Sequence, residues 1–193
     1  MRDEAGALAW IDALARHAVG TLDLPLLLRL YRAWRADDRA AVLRWSAQLI
    51  AARETAELRA EERQLGHALA RVLVALDLQE AQPWQPHAVG GQDDAPAFAT
   101  LFALAAVRWG IAEIDTLAGY LWAWSENQAL VAVRLVPLGQ SAGQRMLQRL
   151  ADAMPQVLER ALTLPDEAIG TSAVGQLLAS ALHETQYSRL FRS

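Results

Sequence analysis

Neither cysteine nor lysine occurs in this chain of 193 residues. Without cysteine there is no disulfide, no thiolate metal site and no thiol nucleophile, and a reducing compartment suits such a composition. Without lysine there is no P-loop. The glycine-spaced stretch LGQSAGQ, with Gly139 and Gly143, lacks the residue that reaches nucleotide phosphates. All eighteen basic residues are arginine, no arginine-rich block is present, and the net charge is -4. The electrostatic footprint of a nucleic-acid binder is therefore missing. Long apolar runs are missing too. The most apolar region, Ile111 to Val136, is interrupted by Ser125, Glu126, Asn127, Gln128 and Arg134, which makes crossing a bilayer costly and marks a buried helix instead. The first residues mix acidic side chains into a helical pattern, unlike the basic head and apolar run of a secretory signal.

What is present is helix-forming. Hydrophobic residues make up 53% of the chain and are dominated by alanine and leucine, good helix formers and poor strand formers. The pattern predicts an all-α, single-domain bundle of about seven helices over residues 1–182, followed by a tail at 183–193. Ala7, Leu8, Ile11, Leu14, Ala15 and Ala18 repeat at helical spacing up to a stop at Gly20. Asp23 is placed to cap a second helix, with Pro25 in its first turn and Leu24, Leu27, Leu28, Tyr31 and Trp34 on its apolar side. From Asp37 one long helical stretch is expected to reach about Leu78, with Val42, Trp45 and Leu49, then Leu58, Leu65, Leu69, Val72 and Leu76, along its seam. Its middle, RETAELRAEER from Arg53 to Arg63, reads as a solvated face with local pairs such as Arg53 with Glu57 and Arg59 with Glu62. Three prolines and a glycine pair make 79–96 the one long loop. Further helices follow at Phe98 to Gly110, at 112–136 ended by Pro137, and around Met146 to Ala161 with a bend near Pro155. A last helix, capped by Thr171 or Ser172, would turn Val174, Leu177, Leu178 and Ala181 inward.

Motifs for chemistry are sparse. His17, His67, His87 and His183 lie far apart without metal-ligand spacing, and no G-x-S-x-G elbow is present. No catalytic residue, metal site or cofactor is expected. Glu126, embedded between Trp122, Trp124, Leu130 and Val131 and followed by Asn127 and Gln128, is expected to be buried. It then serves as an internal hydrogen-bond hub, as part of a polar channel, or as an acid or base. Arg134 has two readings, a partner of its own helix's C-terminal carbonyls or an arginine finger for another protein's nucleotide site. Gly139 and Gly143 share one side of a helix start and suit close packing. A pocket around Trp122 and Trp124 would instead suit a small-ligand-binding regulator.

Three stretches, ARETAELRAEERQLG (Ala52 to Gly66), VRLVPLGQSAGQ (Val133 to Gln144) and HETQYSRLFRS (His183 to Ser193), together resemble the UreF family of urease accessory proteins. The resemblance extends along essentially the whole chain as an all-α pattern. It implies a cytoplasmic, non-enzymatic protein that helps build the nickel centre of urease. It also implies a homodimer that bridges UreD (also called UreH), bound to apo-urease, and the nickel-carrying GTPase UreG. In this family the C-terminal segment is implicated in docking to UreD, and Tyr187, Ser188, Arg189, Leu190, Phe191 and Arg192 match it. Arg134 lies in the family's VxLVP motif, whose basic residue is associated with the UreG-facing surface. Family members also carry, ahead of the part matched here, a segment with a motif like LPVGGYSxSxGLE. An alternative reading is that the chain activates GTP hydrolysis by UreG directly, through Arg134 or Arg192.

Overall fold

A computed structural model describes residues 3–86, 96–136 and 138–170, apart from the Gln140 side chain. Within them lie seven α-helices and no strand: α1 Glu4–Leu14, α2 Leu24–Arg35, α3 Arg39–Ala51, α4 Ala56–Ala75, α5 Phe98–Arg108, α6 Glu113–Leu135 and α7 Gln140–Thr163. The all-α expectation holds. The last predicted helix and the tail fall outside the described residues.

Three of the helix starts follow from short polar side chains that accept from otherwise unpaired amides. Asp3 accepts from Gly6 N at 2.8 Å to open α1. Asp38 accepts from Ala41 N at 2.9 Å to open α3, and Thr55 accepts from Leu58 N at 3.3 Å to open α4. Thr55 and the acidic Glu57 of the first turn are start signals inside what the apolar seam alone reads as one helix. The expected helix from Asp37 to Leu78 is therefore two, separated at residues 52–55.

Gly20, read as a stop, stops nothing. The chain stays helical from Glu4 to Arg35, passing through a wider π-helical stretch at Ala15–Asp23. A Cβ on Gly20 would lie 2.8 Å from Val157 Cγ1 of α7 and 2.9 Å from the Ala15 carbonyl oxygen. The glycine is there for close approach, and Asp23 makes no side-chain cap on α2. The first part of the loop expected at 79–96 is helical: Gln79–Trp84 forms a 3-10 helix that buries Ala81 and Trp84. Arg39 stacks on Trp34 and Trp84, with its guanidinium carbon 5.6 and 4.9 Å from the ring centroids.

The core is organised around α2. Leu24, Leu26, Leu27, Leu28 and Leu30 are all fully buried, and only a narrow stripe of Arg29, Arg32 and Arg35, three residues apart, turns toward solvent, so most of the helix circumference faces the core, as befits a central element. It packs against α3, α5, α6 and α7. Burying one leucine is worth about 1.5–3 kcal/mol, so α2 anchors the bundle. A smaller cluster of Ala7, Ile11, Ala132, Met146 and Leu150 joins α1 to α6 and α7. The pair α6 and α7 approaches closely at Gly143, where a Cβ would sit 3.0 Å from Val133 Cγ2. Helix α7 continues through Pro155.

Candidate functional site

The concentration of charge in the interior begins at Arg53, in the turn between α3 and α4. Its guanidinium meets Asp23 at the end of the π-helical stretch and Glu62 on α4, the latter at 2.7 Å. Relative side-chain exposure is 18% for Arg53, 9% for Asp23 and 8% for Glu62. The solvated-face reading of Arg53 to Arg63 is therefore corrected at its two decisive positions. Arg53 pairs across 30 and 9 residues of sequence with two buried carboxylates, since one guanidinium fork satisfies two acceptors at once.

Glu62 uses its other oxygen to accept from Phe98 N at 2.8 Å, which ties the start of α5 to α4. Tyr120 of α6 donates its hydroxyl to Asp23 over 3.5 Å. Arg59 reaches back to the Arg53 carbonyl at 2.7 Å. The α3–α4 turn, the end of the π-helical stretch, α4, the start of α5 and α6 thus converge on one network. Burial by itself would lower the Arg53 pKa, but the charges of Asp23 and Glu62 outweigh it and raise it above the ordinary range. Burial, reinforced by the same two carboxylates, pushes the Tyr120 hydroxyl well above the usual phenol range, and Arg53 opposes this only in part.

A cavity of about 250 Å³ opens beside the network. Asp23, Arg53, Glu54, Glu61, Glu62, Tyr120, Trp124, Asn127 and Gln128 supply its polar and aromatic lining. Four carboxylates against one guanidinium leave that wall acidic. Asn127 and Gln128 thus reach a polar cavity. Glu126 does not: it is exposed on the outer side of α6, which corrects the expectation of a buried hub. The helical phase explains this, because Ser125 and Ala129 take the buried stripe of α6 and turn Glu126 outward. Trp124 lines the cavity while Trp122 is 40% exposed, so the two tryptophans do not share one pocket.

Arg134 is exposed in the last turn of α6. Leu130, Val131 and Leu135 around it are 51%, 39% and 57% exposed, an unusual density of apolar side chains on a surface. His67 makes a ring-nitrogen contact of 3.0 Å with the Trp84 carbonyl, His17 is exposed, and His87 and His183 fall outside the described residues. Among the described residues no three His, Cys, Asp or Glu side chains are grouped to hold a metal ion. Tyr187, Ser188, Arg189, Leu190, Phe191 and Arg192 lie outside the described residues. Asp23, Arg53, Glu62 and Tyr120 were not legible as a site, because nothing in their spacing brings them together.

A sequence model of the UreF family matches residues 1–151. The urease accessory protein UreF of Alkalilimnicola ehrlichii is 47% identical over 193 residues, covering all of this chain and 82% of the relative. UreF of Alcanivorax borkumensis is 48% identical over 186 residues, covering 95% of this chain and 80% of the relative. UreF of Pseudomonas putida is 42% identical over 193 residues, covering all of this chain and 84% of the relative. With the family match spanning most of an all-helical chain, and relatives at this identity aligned over nearly its full length, the chain belongs to the UreF family of urease accessory proteins.

Proposed function

We propose that the chain is a non-enzymatic scaffold in urease maturation that bridges UreD (UreH), bound to apo-urease, and the nickel-carrying GTPase UreG, acting as a homodimer in the cytoplasm. Family membership is the observation that carries this reading. The surface chemistry supports it, since exposed leucines and an arginine at the end of α6 are the residue types that anchor protein interfaces. No helix among the described residues is long and apolar enough to cross a membrane. UreG is assigned to the Arg134 face and UreD to the tail, with Tyr187, Leu190 and Phe191 as apolar anchors and Arg189 and Arg192 as charge contacts.

The test is co-purification. Deleting Tyr187 to Ser193 abolishes recovery with UreD and leaves the circular dichroism spectrum helical. Undiminished recovery of UreD would remove the tail assignment.

The exposure of Arg134 favours a second reading, direct stimulation of GTP hydrolysis by UreG. Turnover by UreG, measured alone, with this chain and with the Arg134→Ala variant, decides it. Acceleration that the variant lacks supports an activator, and no acceleration by the unsubstituted chain rejects one.

A further inference from the structure

The polar cavity has an apolar continuation. A second cavity, of about 320 Å³, is lined by Leu69, Val72, Phe102, Trp109, Asp115 and Gly119 among others, and Phe98 borders both cavities. Along α4 the lining runs from Leu58, Glu61 and Leu65 in the first cavity to Leu69 and Val72 in the second. Along α6 it runs the opposite way, from Gln128 and Trp124 to Gly119 and Asp115. The two cavities therefore form one trench between antiparallel α4 and α6. Its floor is aromatic: the rings of Phe98, Phe102 and Tyr120 lie 5.4 to 6.1 Å apart. From Leu58 to Val72 the helical rise gives a length of about 21 Å, or about four helical turns.

The two ends differ in chemistry. At one end Val72, Trp109 and Ile111 are 52%, 54% and 40% exposed, and Asp115 is the only ionisable side chain in that lining. At the other, Glu54 and Glu61 are exposed beside the Asp23–Arg53–Glu62 network, with Arg59 just outside the lining. A trench of this length, apolar at one end and acidic at the other, has the form that receives an amphipathic helix. We propose that the trench is a docking site for one amphipathic helix of a protein partner, carrying an apolar stripe and an arginine or lysine at its C-terminal end. The cation meets Glu54 and Glu61, and its position at the helix C-terminus is the one that the helix dipole favours. The proposal extends the scaffold reading by naming how one partner is gripped.

The test uses the full chain and a fluorescent synthetic helix of about four turns, with leucines at i, i+3, i+4 and i+7 and a C-terminal arginine. A second peptide has glutamate in place of the arginine. Fluorescence polarisation should show the arginine peptide bound about tenfold more tightly than the glutamate peptide. Val72→Arg, at an exposed position, should weaken both peptides, and Glu61→Arg should invert the preference. Equal binding of both peptides, or indifference to both substitutions, overturns the proposal. So does a large gain in peptide affinity on Leu177→Asp with Leu178→Asp, which would make this chain's own 171–193 segment the occupant. Peptide binding that falls as protein concentration rises would make the occupant a second copy and overturn it equally.

Because the chain has no cysteine, Gly119→Cys gives a unique thiol at an exposed position where a Cβ meets nothing within 4 Å. In the complex co-expressed with the urease-maturation partners that thiol should be protected from maleimide, and full reactivity there overturns the partner assignment. The peptide experiment needs none of those partners, so it fails or succeeds independently of the co-purification test.

Discussion

Arg53 and Arg145 make ion pairs of nearly the same length, 2.7 Å to Glu62 and 2.6 Å to Glu4, in opposite surroundings. Arg145 is 60% exposed and joins α7 to the first turn of α1 through a two-pronged contact with Glu4. Water already solvates both partners there, so forming the pair changes little. Arg53 is withdrawn from water together with two carboxylates. Its attraction to them mostly offsets the cost of desolvating all three, which makes the intact network a modest stabiliser and a broken one a severe defect. Bond length is therefore a poor guide to what an ion pair holds together. The buried network fixes the α3–α4 turn, the end of the π-helical stretch and the start of α5, whereas the surface pair could be lost without moving anything.

The largest effect is expected from Arg53→Met, which strands Asp23 and Glu62 without their cation. Urea denaturation should show a loss of about 3–5 kcal/mol. A loss no greater than that of an exposed arginine would erase the distinction between the two pairs. Next is Gly20→Ala, which forces a methyl group against Val157 and the Ala15 carbonyl and disturbs the π-helical stretch that presents Asp23. A cost of about 1–3 kcal/mol is expected, and a neutral result would show that the close approach to α7 is not needed.

Tyr120→Phe removes the 3.5 Å contact to Asp23 and should cost about 1 kcal/mol at neutral pH. Its sharper signature is alkaline. The folded-state pKa of Tyr120 is raised, so the folded protein holds this proton more tightly than the unfolded chain does. That stability is fully present below the unfolded value of about 10 and is lost as pH rises through the folded value. The parent protein should therefore lose stability above about pH 10 more steeply than the phenylalanine variant, and parallel curves would refute the assignment. The smallest effect belongs to Arg145→Ala, which should leave the neutral-pH urea midpoint unchanged. The hydrogen bond from Arg145 lowers the Glu4 pKa, so whatever the pair contributes is present above the usual glutamate value and vanishes as pH falls through the folded one. A clear midpoint shift at neutral pH would mean that the surface pair carries more than its exposure allows.

Much of the helical order was readable. The apolar spacing located α1, α2, α5 and α6 and the body of α7, because each buries a stripe against neighbours and the stripe repeats at the helical period. Charge was misread in both directions. A run rich in Arg and Glu looked like a solvated face and contains two buried members, while Glu126 among tryptophans looked buried and faces outward. Local composition reports the average surroundings of a segment. Helical phase decides each residue separately, and an unforeseen four-residue break such as 52–55 changes the phase of everything after it.

The sequence by itself determined the fold class, the family and the absence of thiol and P-loop chemistry, since these depend on residue types and on patterns within short windows. Only the tertiary structure decided that Asp23, Arg53, Glu62 and Tyr120 meet, that Gly20 packs where it was expected to stop a helix, and that α4 and α6 flank a trench with one acidic end. Those outcomes depend on contacts between segments distant in the chain. Such contacts are set by how whole helices pack, and no local periodicity records them.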